Sequence, residues 1–194
     1  MTEATIDKLP ELLKNHISTL KKASCDETNG AYMTESALKV VRLDKVPKEY
    51  AKGKGWSGIP QTNDALYISD TGKWYFIEFK NGAIQKAEIY RKLYDSLIML
   101  LEEKIIPDYD FVRKAASYIL VYNSDKYPVI PVSESRNLNY SYFSGLAKAQ
   151  PRLFEVEKFE KYLFWQTHTY TKEQFEQLFV TPTERQEELE ALHK

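Results

Sequence analysis

Two acidic residues and a lysine in the segment NDALYISDTGKWYFIEFKNG (63–82) have the types and spacing of a metal site. Asp64 stands near the start of the segment, and Glu78 and Lys80 stand near its end. Two carboxylates supply hard oxygen ligands that suit Mg²⁺ or Mn²⁺, with water in the remaining positions. The ammonium of Lys80 could then orient a metal-bound water or stabilise charge that develops on a phosphate. This chemistry requires the three side chains to meet.

A β-hairpin over this segment would bring the acids to one end, but its register decides whether they meet. A two-residue turn at Thr71-Gly72 would pair Asp64 with Phe79 and send the two acids to opposite faces of the sheet. A three-residue loop over 70–72 pairs Asp64 directly with Glu78. It also places a glycine at the position that needs a left-handed backbone. The turn chemistry therefore favours the register that opposes the two acids.

Directly opposed carboxylates destabilise a hairpin unless a cation lies between them. A divalent metal bound by Asp64 and Glu78 would supply that cation. The alternative is purely structural: Asp64 is then a polar residue at a strand end, and Glu78 pairs with Lys80 or Lys73 on an exposed face. Both interpretations remain open on the sequence alone.

The elements that must position the hairpin follow from periodicity. Residues 6–24 have apolar side chains at helical spacing, which predicts an amphipathic helix. Residues 36–43 are predicted as a strand, with a short helix as the alternative, and residues 83–104 as a helix with one apolar stripe. The apolar run at 116–122 predicts a strand that is buried on both faces. The order is helix, three strands, helix and strand, and its last strand–helix–strand unit predicts a parallel pairing.

The remaining segments give weaker patterns. PKEYAKGKGWSGIP (47–60) predicts a mobile, solvated loop, either a plain connector or a basic flap over a polyanion that carries Lys52 and Lys54. Beyond residue 130 we expect a short helix at 139–149, strands at 153–156 and 162–169, a helix at 172–179 capped by Thr171, and an acidic surface helix or frayed tail at 181–194.

Composition indicates an ordinary globular chain. The 194 residues are 43% apolar and 28% charged, with a net charge of −1 that shows no basic excess. The absence of a basic excess counts against tight nucleic-acid binding but allows a local basic groove. The single cysteine, the lack of a secretory pattern at the N-terminus and the lack of a long apolar run predict a cytoplasmic protein with no membrane partner.

The motif and the order of elements together resemble the PD-(D/E)xK nuclease superfamily. Asp64 matches the acid of the second strand, and Glu78-Phe79-Lys80 matches the (D/E)-x-K of the third. The run EFKNG is also similar to the D-x-K-x-G of RecB-like members. The resemblance spans residues 6–123. It implies an α/β protein with an αβββαβ restriction-endonuclease-like core over 1–130, in which helices flank a mixed sheet. Residues 131–194 are then a C-terminal α+β extension packed on the core, ending in the acidic tail 181–194.

The resemblance also implies roles for individual residues. Asp64 and Glu78 would bind Mg²⁺ or Mn²⁺, Lys80 would assist the attacking water, and the Phe79 carbonyl would be a further ligand. Glu11, on the first helix, is the candidate for completing the metal site. The candidates for binding substrate are Lys86, Tyr90, Gln85, Lys52 and Lys54.

The function that this resemblance implies is a divalent-metal-dependent nuclease that hydrolyses phosphodiester bonds of DNA in preference to RNA. Nucleic acid is then the main partner, and a homodimer or a protein partner is an additional expectation. The alternative is a catalytically inactive nuclease-like fold that serves as a protein-binding, immunity or regulatory module. The near-neutral charge, the abundant tyrosines as surface candidates and the region 130–180, which the resemblance does not explain, fit this alternative. Asn63 stands where the family has proline, a variation that such a divergent superfamily tolerates.

Overall fold

A six-stranded mixed β-sheet is the centre of the computed structural model, which describes residues 1–82, 84–125 and 153–192. Its strands occur in the spatial order β1-β4-β5-β6-β7-β8, and β2 and β3 form a separate two-stranded sheet. The strands are β1 (Ile17–Thr19), β2 (Cys25–Asp26), β3 (Ala31–Tyr32), β4 (Lys39–Arg42), β5 (Ala65–Ile68), β6 (Trp74–Lys80), β7 (Ala116–Tyr122) and β8 (Gln166–Thr171).

Helices connect and flank this sheet. They are α1 (Glu3–Ile6), α2 (Glu11–Lys14), α3 (Leu20–Ala23), α4 (Val46–Lys54), α5 (Lys86–Glu102), α6 (Tyr109–Ala115), α7 (Lys172–Phe175) and α8 (Thr181–Leu192). Two 3₁₀ segments (Leu43–Lys45 and Leu153–Phe159) and a π turn (Glu176–Val180) complete the described elements. No described helix is long and apolar enough to cross a membrane.

The sheet joins an antiparallel half to a parallel half. β1, β4, β5 and β6 are antiparallel neighbours, whereas β7 is parallel to β6, and β8 is parallel to β7. α5 lies in the connection between β6 and β7, so the predicted strand–helix–strand unit and its parallel pairing are confirmed. The protein is therefore of the mixed α/β class, with β7 buried along its whole length as predicted.

Both faces of the sheet are covered. On one face, the ring of Phe79 packs edge-on against Phe175, with centroids 5.6 Å apart. On the other face, Phe76 packs against Phe164 at 5.5 Å. Because side chains alternate along β6, Glu78 and Lys80 share the face of Phe76. The polar residues at the end of β6 thus continue a face that is otherwise packed into the core.

The β5–β6 hairpin has the three-residue loop. Ala65 lies opposite Ile77, and the same register, continued by one residue, places Asp64 opposite Glu78. The Ser69 amide donates to the Lys73 carbonyl at 2.9 Å, which closes the loop over 70–72. Gly72 has a φ of +76°, the left-handed conformation that this loop requires. The predicted register is confirmed.

Gly72→Ala is expected to lower the free energy of unfolding by roughly 1–2 kcal/mol, because a Cβ disfavours the left-handed backbone. Space is not the cause, since no atom lies within 4 Å of the position of the added Cβ. The matched control is Gly53→Ala inside α4, where alanine should stabilise the protein by about 0.5–1 kcal/mol. Urea unfolding of both variants measures the difference. Equal effects at the two positions would contradict the assigned strain.

Two of the predicted elements in the first third of the chain are wrong. The single helix predicted over 6–24 is interrupted: Pro10 precedes α2, and Ile17–Thr19 forms β1 because it pairs with β4. The loop predicted over 47–60 begins instead with α4, whose first turn accommodates Pro47 and whose end is Gly55 at φ +70°. Tertiary pairing and helix capping therefore overrode the local patterns.

The C-terminal predictions have mixed outcomes. The strand predicted over 153–156 is wrong, because this stretch lies in a 3₁₀ segment with left-handed residues at Phe154 and Glu155. The strand predicted over 162–169 begins later, at Gln166. The helix at 172–179 is confirmed as α7 and the π turn, and a capping box joins Thr171 and Gln174. α8 confirms the predicted surface helix, and the helix predicted over 139–149 lies outside the described residues.

Candidate functional site

The carboxylates of Asp64 and Glu78 meet on one positive charge, the ammonium of Lys92. Lys92 Nζ donates to Asp64 Oδ1 at 3.0 Å and to Glu78 Oε1 at 2.8 Å. The Glu78 side chain is fully buried, and those of Asp64 and Lys92 are 17% and 18% exposed. Lys92 lies on α5, which follows the hairpin and covers this face of the sheet. Hairpin and helix together therefore build a cation position between two acids.

Backbone contacts hold the Asp64 carboxylate at the end of β5. The Phe79 amide donates to Asp64 Oδ2 at 2.7 Å. The amide and carbonyl of one residue in an antiparallel ladder face the same neighbouring strand, so the Phe79 carbonyl also faces β5, just beyond its first residue, Ala65. Asn63 links the start of β5 to α5, because its backbone amide donates to Ser96 Oγ at 2.9 Å. The oxygen atoms at this corner are thus fixed by the sheet and the helix together.

Lys80 extends the alternation of charges. Its Nζ lies 3.2 Å from Glu78 Oε1 and 2.7 Å from Glu88 Oε1. Glu78 Oε1 consequently receives two ammonium groups, from Lys92 and from Lys80. Glu88 closes the row and is the most exposed of its acids, at 41%. We call the five residues Asp64, Lys92, Glu78, Lys80 and Glu88 the charge row.

Burial and proximity change the protonation behaviour of this row. Burial, followed by the neighbouring charge of Glu78, raises the pKa of Asp64 to about 7, although Lys92 opposes the shift. Burial alone would lower the pKa of Lys92, but the carboxylates of Glu78 and Asp64 outweigh it and raise that pKa well above its usual value. The raised pKa of Lys92 means that its ammonium stays charged, because two acids share it.

A cavity of about 450 Å³ opens onto the row, and Asp64, Lys80, Glu88 and Lys92 line it. Other charged residues that line the cavity are paired with one another. Glu27 lies 3.6 Å from an Arg42 nitrogen and 3.4 Å from Lys45 Nζ. The cavity therefore combines both signs of charge rather than presenting a uniformly basic surface, in keeping with the composition.

Two buried polar atoms beside the row have no hydrogen-bond partner among the described residues: Asn63 Oδ1 and Tyr118 Oη. The side-chain nitrogen of Asn63, Nδ2, donates to Glu78 Oε2 at 3.4 Å. Burial, with the charges of Glu78 and Asp64, raises the pKa of Tyr118 well above its usual value, so this hydroxyl is neutral. Such atoms are costly to bury unless water or a ligand satisfies them.

The other predicted site residues lie away from the row. Glu11 is exposed at the start of α2 and does not line the cavity. Lys86 forms an ion pair with Glu155, and the Tyr90 hydroxyl donates to the Phe154 carbonyl at 2.8 Å. Exposed positions are occupied by Gln85 and Lys52, and Lys54 lies 2.9 Å from Glu103 and 3.2 Å from Glu102. Within the described residues, only Asp64, Phe79, Glu78 and Lys80 of the predicted set meet.

The sequence analysis missed Glu88 and Lys92, although α5 carries a signal for them. Glu88, Lys92 and Ser96 follow each other at intervals of four residues and therefore lie on one helical face. That face of α5 packs on the sheet, because Ser96 is fully buried and its Oγ accepts a hydrogen bond from the Asn63 backbone amide. Polar residues on the buried face of a helix, next to a strand that ends in an acid and a lysine, indicate a candidate functional site.

The acid pair could hold a metal only with help from other ligands. Over residues 1–82, 84–125 and 153–192, no group of three or more His, Cys, Asp or Glu side chains is arranged to hold a metal ion. The available donors are two carboxylates and the Phe79 carbonyl, with water for the remaining positions, which fits Mg²⁺ or Mn²⁺. Comparisons of the chain with protein-family models, with curated proteins and with solved structures found no match.

Proposed function

We propose that this chain is a divalent-metal-dependent nuclease of the restriction-endonuclease-like fold that hydrolyses phosphodiester bonds of DNA. One observation carries the proposal: Asp64 and Glu78 approach the same cationic atom at 3.0 and 2.8 Å. Two acids that share one positive charge in this way present their oxygen atoms to a common point. That point is suited to a hard divalent cation.

The topology supports the same proposal. Three antiparallel strands (β4, β5 and β6) are followed by α5 and by the parallel strand β7, which is the order of the βββαβ part of an αβββαβ core. Asp64 precedes the second of these strands, and Glu78 and Lys80 lie on the third. This order supports assigning the two acids to the metal-site positions that the resemblance implies.

Four residues of the row, together with the Phe79 carbonyl, have roles in the proposed reaction. Asp64, Glu78 and the Phe79 carbonyl would hold Mg²⁺, which when bound supplies positive charge at the phosphate and a more acidic water. Lys80 lines the cavity and is held by Glu78 and Glu88, so it is placed to orient water or to stabilise the charge on a phosphate oxygen. Glu88 restricts the Lys80 side chain.

A second candidate function has its own support. Lys92 and Lys80 already supply positive charge to the acid pair, so a nuclease-like fold without catalytic activity would be stable as it stands. Such a chain would serve as a protein-binding or regulatory module. It differs from the nuclease in one measurable property, because its acid pair would not bind a divalent metal.

Metal binding separates the two functions. We expect millimolar Mn²⁺ or Mg²⁺ to raise the melting temperature of the parent protein and to permit cleavage of plasmid or single-stranded DNA. Asp64→Asn should lose both effects because it removes one carboxylate ligand. The matched control is Asp110→Asn, which removes an exposed acid that is paired with Arg113 on α6. If the parent shows neither a shift nor cleavage with metal and DNA together, the inactive module is the better account.

A further inference from the structure

We propose that Lys92 is the resident cation of the acid pair and that a divalent metal binds there by displacing the Lys92 ammonium. This inference rests on the proposed function, since it concerns the same acids. It adds an exchange step: the metal does not enter beside Lys92 but takes its place. Lys92 then controls how tightly the site binds metal.

The distances make simultaneous occupancy unfavourable. Lys92 Nζ already lies 2.8 Å from Glu78 Oε1 and 3.0 Å from Asp64 Oδ1. A Mg²⁺ ion on the same carboxylates would have ligand distances of about 2.0–2.1 Å. The ion and the ammonium would then be close neighbours in a partly buried site, where repulsion between like charges is strong. One of the two cations must leave.

Lys92, rather than Lys80, is the cation that must move. Lys92 binds both acids of the pair, whereas Lys80 contacts Glu78 and has a second anchor in Glu88 at 2.7 Å. Lys80 can keep that anchor when a metal binds. Among the residues that the structure describes, the Lys92 ammonium pairs only with Asp64 and Glu78, and it occupies the position that these ligands define.

The structure also provides a destination for the displaced ammonium. Lys92 lines the cavity of about 450 Å³, and its flexible four-carbon side chain can turn toward that space. Glu88 lies four residues earlier on the same helix, so its partly exposed carboxylate is within reach of a lysine at this spacing. A phosphate group entering the cavity would offer a second anionic partner.

Removal of Lys92 should therefore strengthen metal binding. In Lys92→Met, the acids lack their resident cation, and a metal no longer competes for their oxygens. We expect the dissociation constant for Mn²⁺, measured by calorimetry without nucleic acid, to fall about tenfold or more relative to the parent. Lys92→Arg keeps the charge and should not tighten binding. The matched control is Arg91→Met, which removes a 61%-exposed positive charge from the neighbouring position and should leave the constant unchanged.

The outcomes distinguish this inference from the proposed function. If the parent binds Mn²⁺ and Lys92→Met binds it equally or more weakly, the exchange is overturned while the metal site stands. If neither protein binds Mn²⁺, the metal site itself is wrong, and the exchange fails with it. Binding by Lys92→Met alone would establish displacement as the barrier. Should Lys92→Met be unfolded without metal, Mn²⁺ must restore its circular dichroism, and failure to do so would contradict the exchange.

Discussion

Lys80→Ala is expected to reduce metal-dependent DNA cleavage by about 10²–10³-fold, because it removes a positioned ammonium from the site where charge develops. The proposed metal ligands should survive the change. Lys80 contacts Glu78 and Glu88 but donates no bond to Asp64, and Lys92 still binds both acids in its absence. The expected signature is lost turnover with retained Mn²⁺ binding, measured by cleavage assay and by calorimetry on one preparation.

The control for this experiment lies at the other end of the same hairpin. Lys73 is exposed beside the loop, so Lys73→Ala removes an equal charge without touching the charge row. It should cleave at the parental rate. Cleavage by Lys80→Ala as fast as the parent would remove Lys80 from the mechanism. Loss of Mn²⁺ binding in Lys80→Ala would instead make it a structural support of Glu78.

The hairpin register was predictable because its determinants are local. A three-residue loop with glycine at the left-handed position selects one pairing, and that pairing alone opposes Asp64 and Glu78. The alternation of side chains then places Lys80 on the same face. Strand, loop and site residues in this segment all follow from neighbours within twenty positions of the sequence.

Elements that depend on distant contacts were not predictable in the same way. Ile17–Thr19 has helical neighbours in sequence but pairs with β4, and β8 enters the sheet beside β7 from the C-terminal part of the chain. Lys92 is the functional example. Its helix was predicted, but its contact with the acids depends on how α5 crosses the sheet, which periodicity does not specify.

The charge row explains how the fold tolerates two acids at one corner. Glu78 is fully buried, and its Oε1 accepts from Lys92 and forms an ion pair with Lys80 at 3.2 Å. Asp64 keeps partial access to solvent and has a backbone amide as an additional donor. Glu78 thus balances the charge of two lysines, whereas Asp64 pairs with one. We therefore expect the loss of the Glu78 carboxylate to destabilise the protein most.

Glu78→Gln is expected to lower the free energy of unfolding of the metal-free protein by roughly 2–3 kcal/mol, because it removes the fully buried anion that Lys92 and Lys80 share and leaves each of them with one acid. Asp64→Asn should be less destabilising, since Lys92 keeps Glu78 and the repulsion between the two acids disappears. Glu88→Gln is the control: its side chain is 41% exposed, and we expect a change within about 1 kcal/mol. Urea unfolding at neutral pH without metal measures all three variants. A larger loss in Asp64→Asn than in Glu78→Gln would place the anchor of the charge row at Asp64, contrary to the geometry described above.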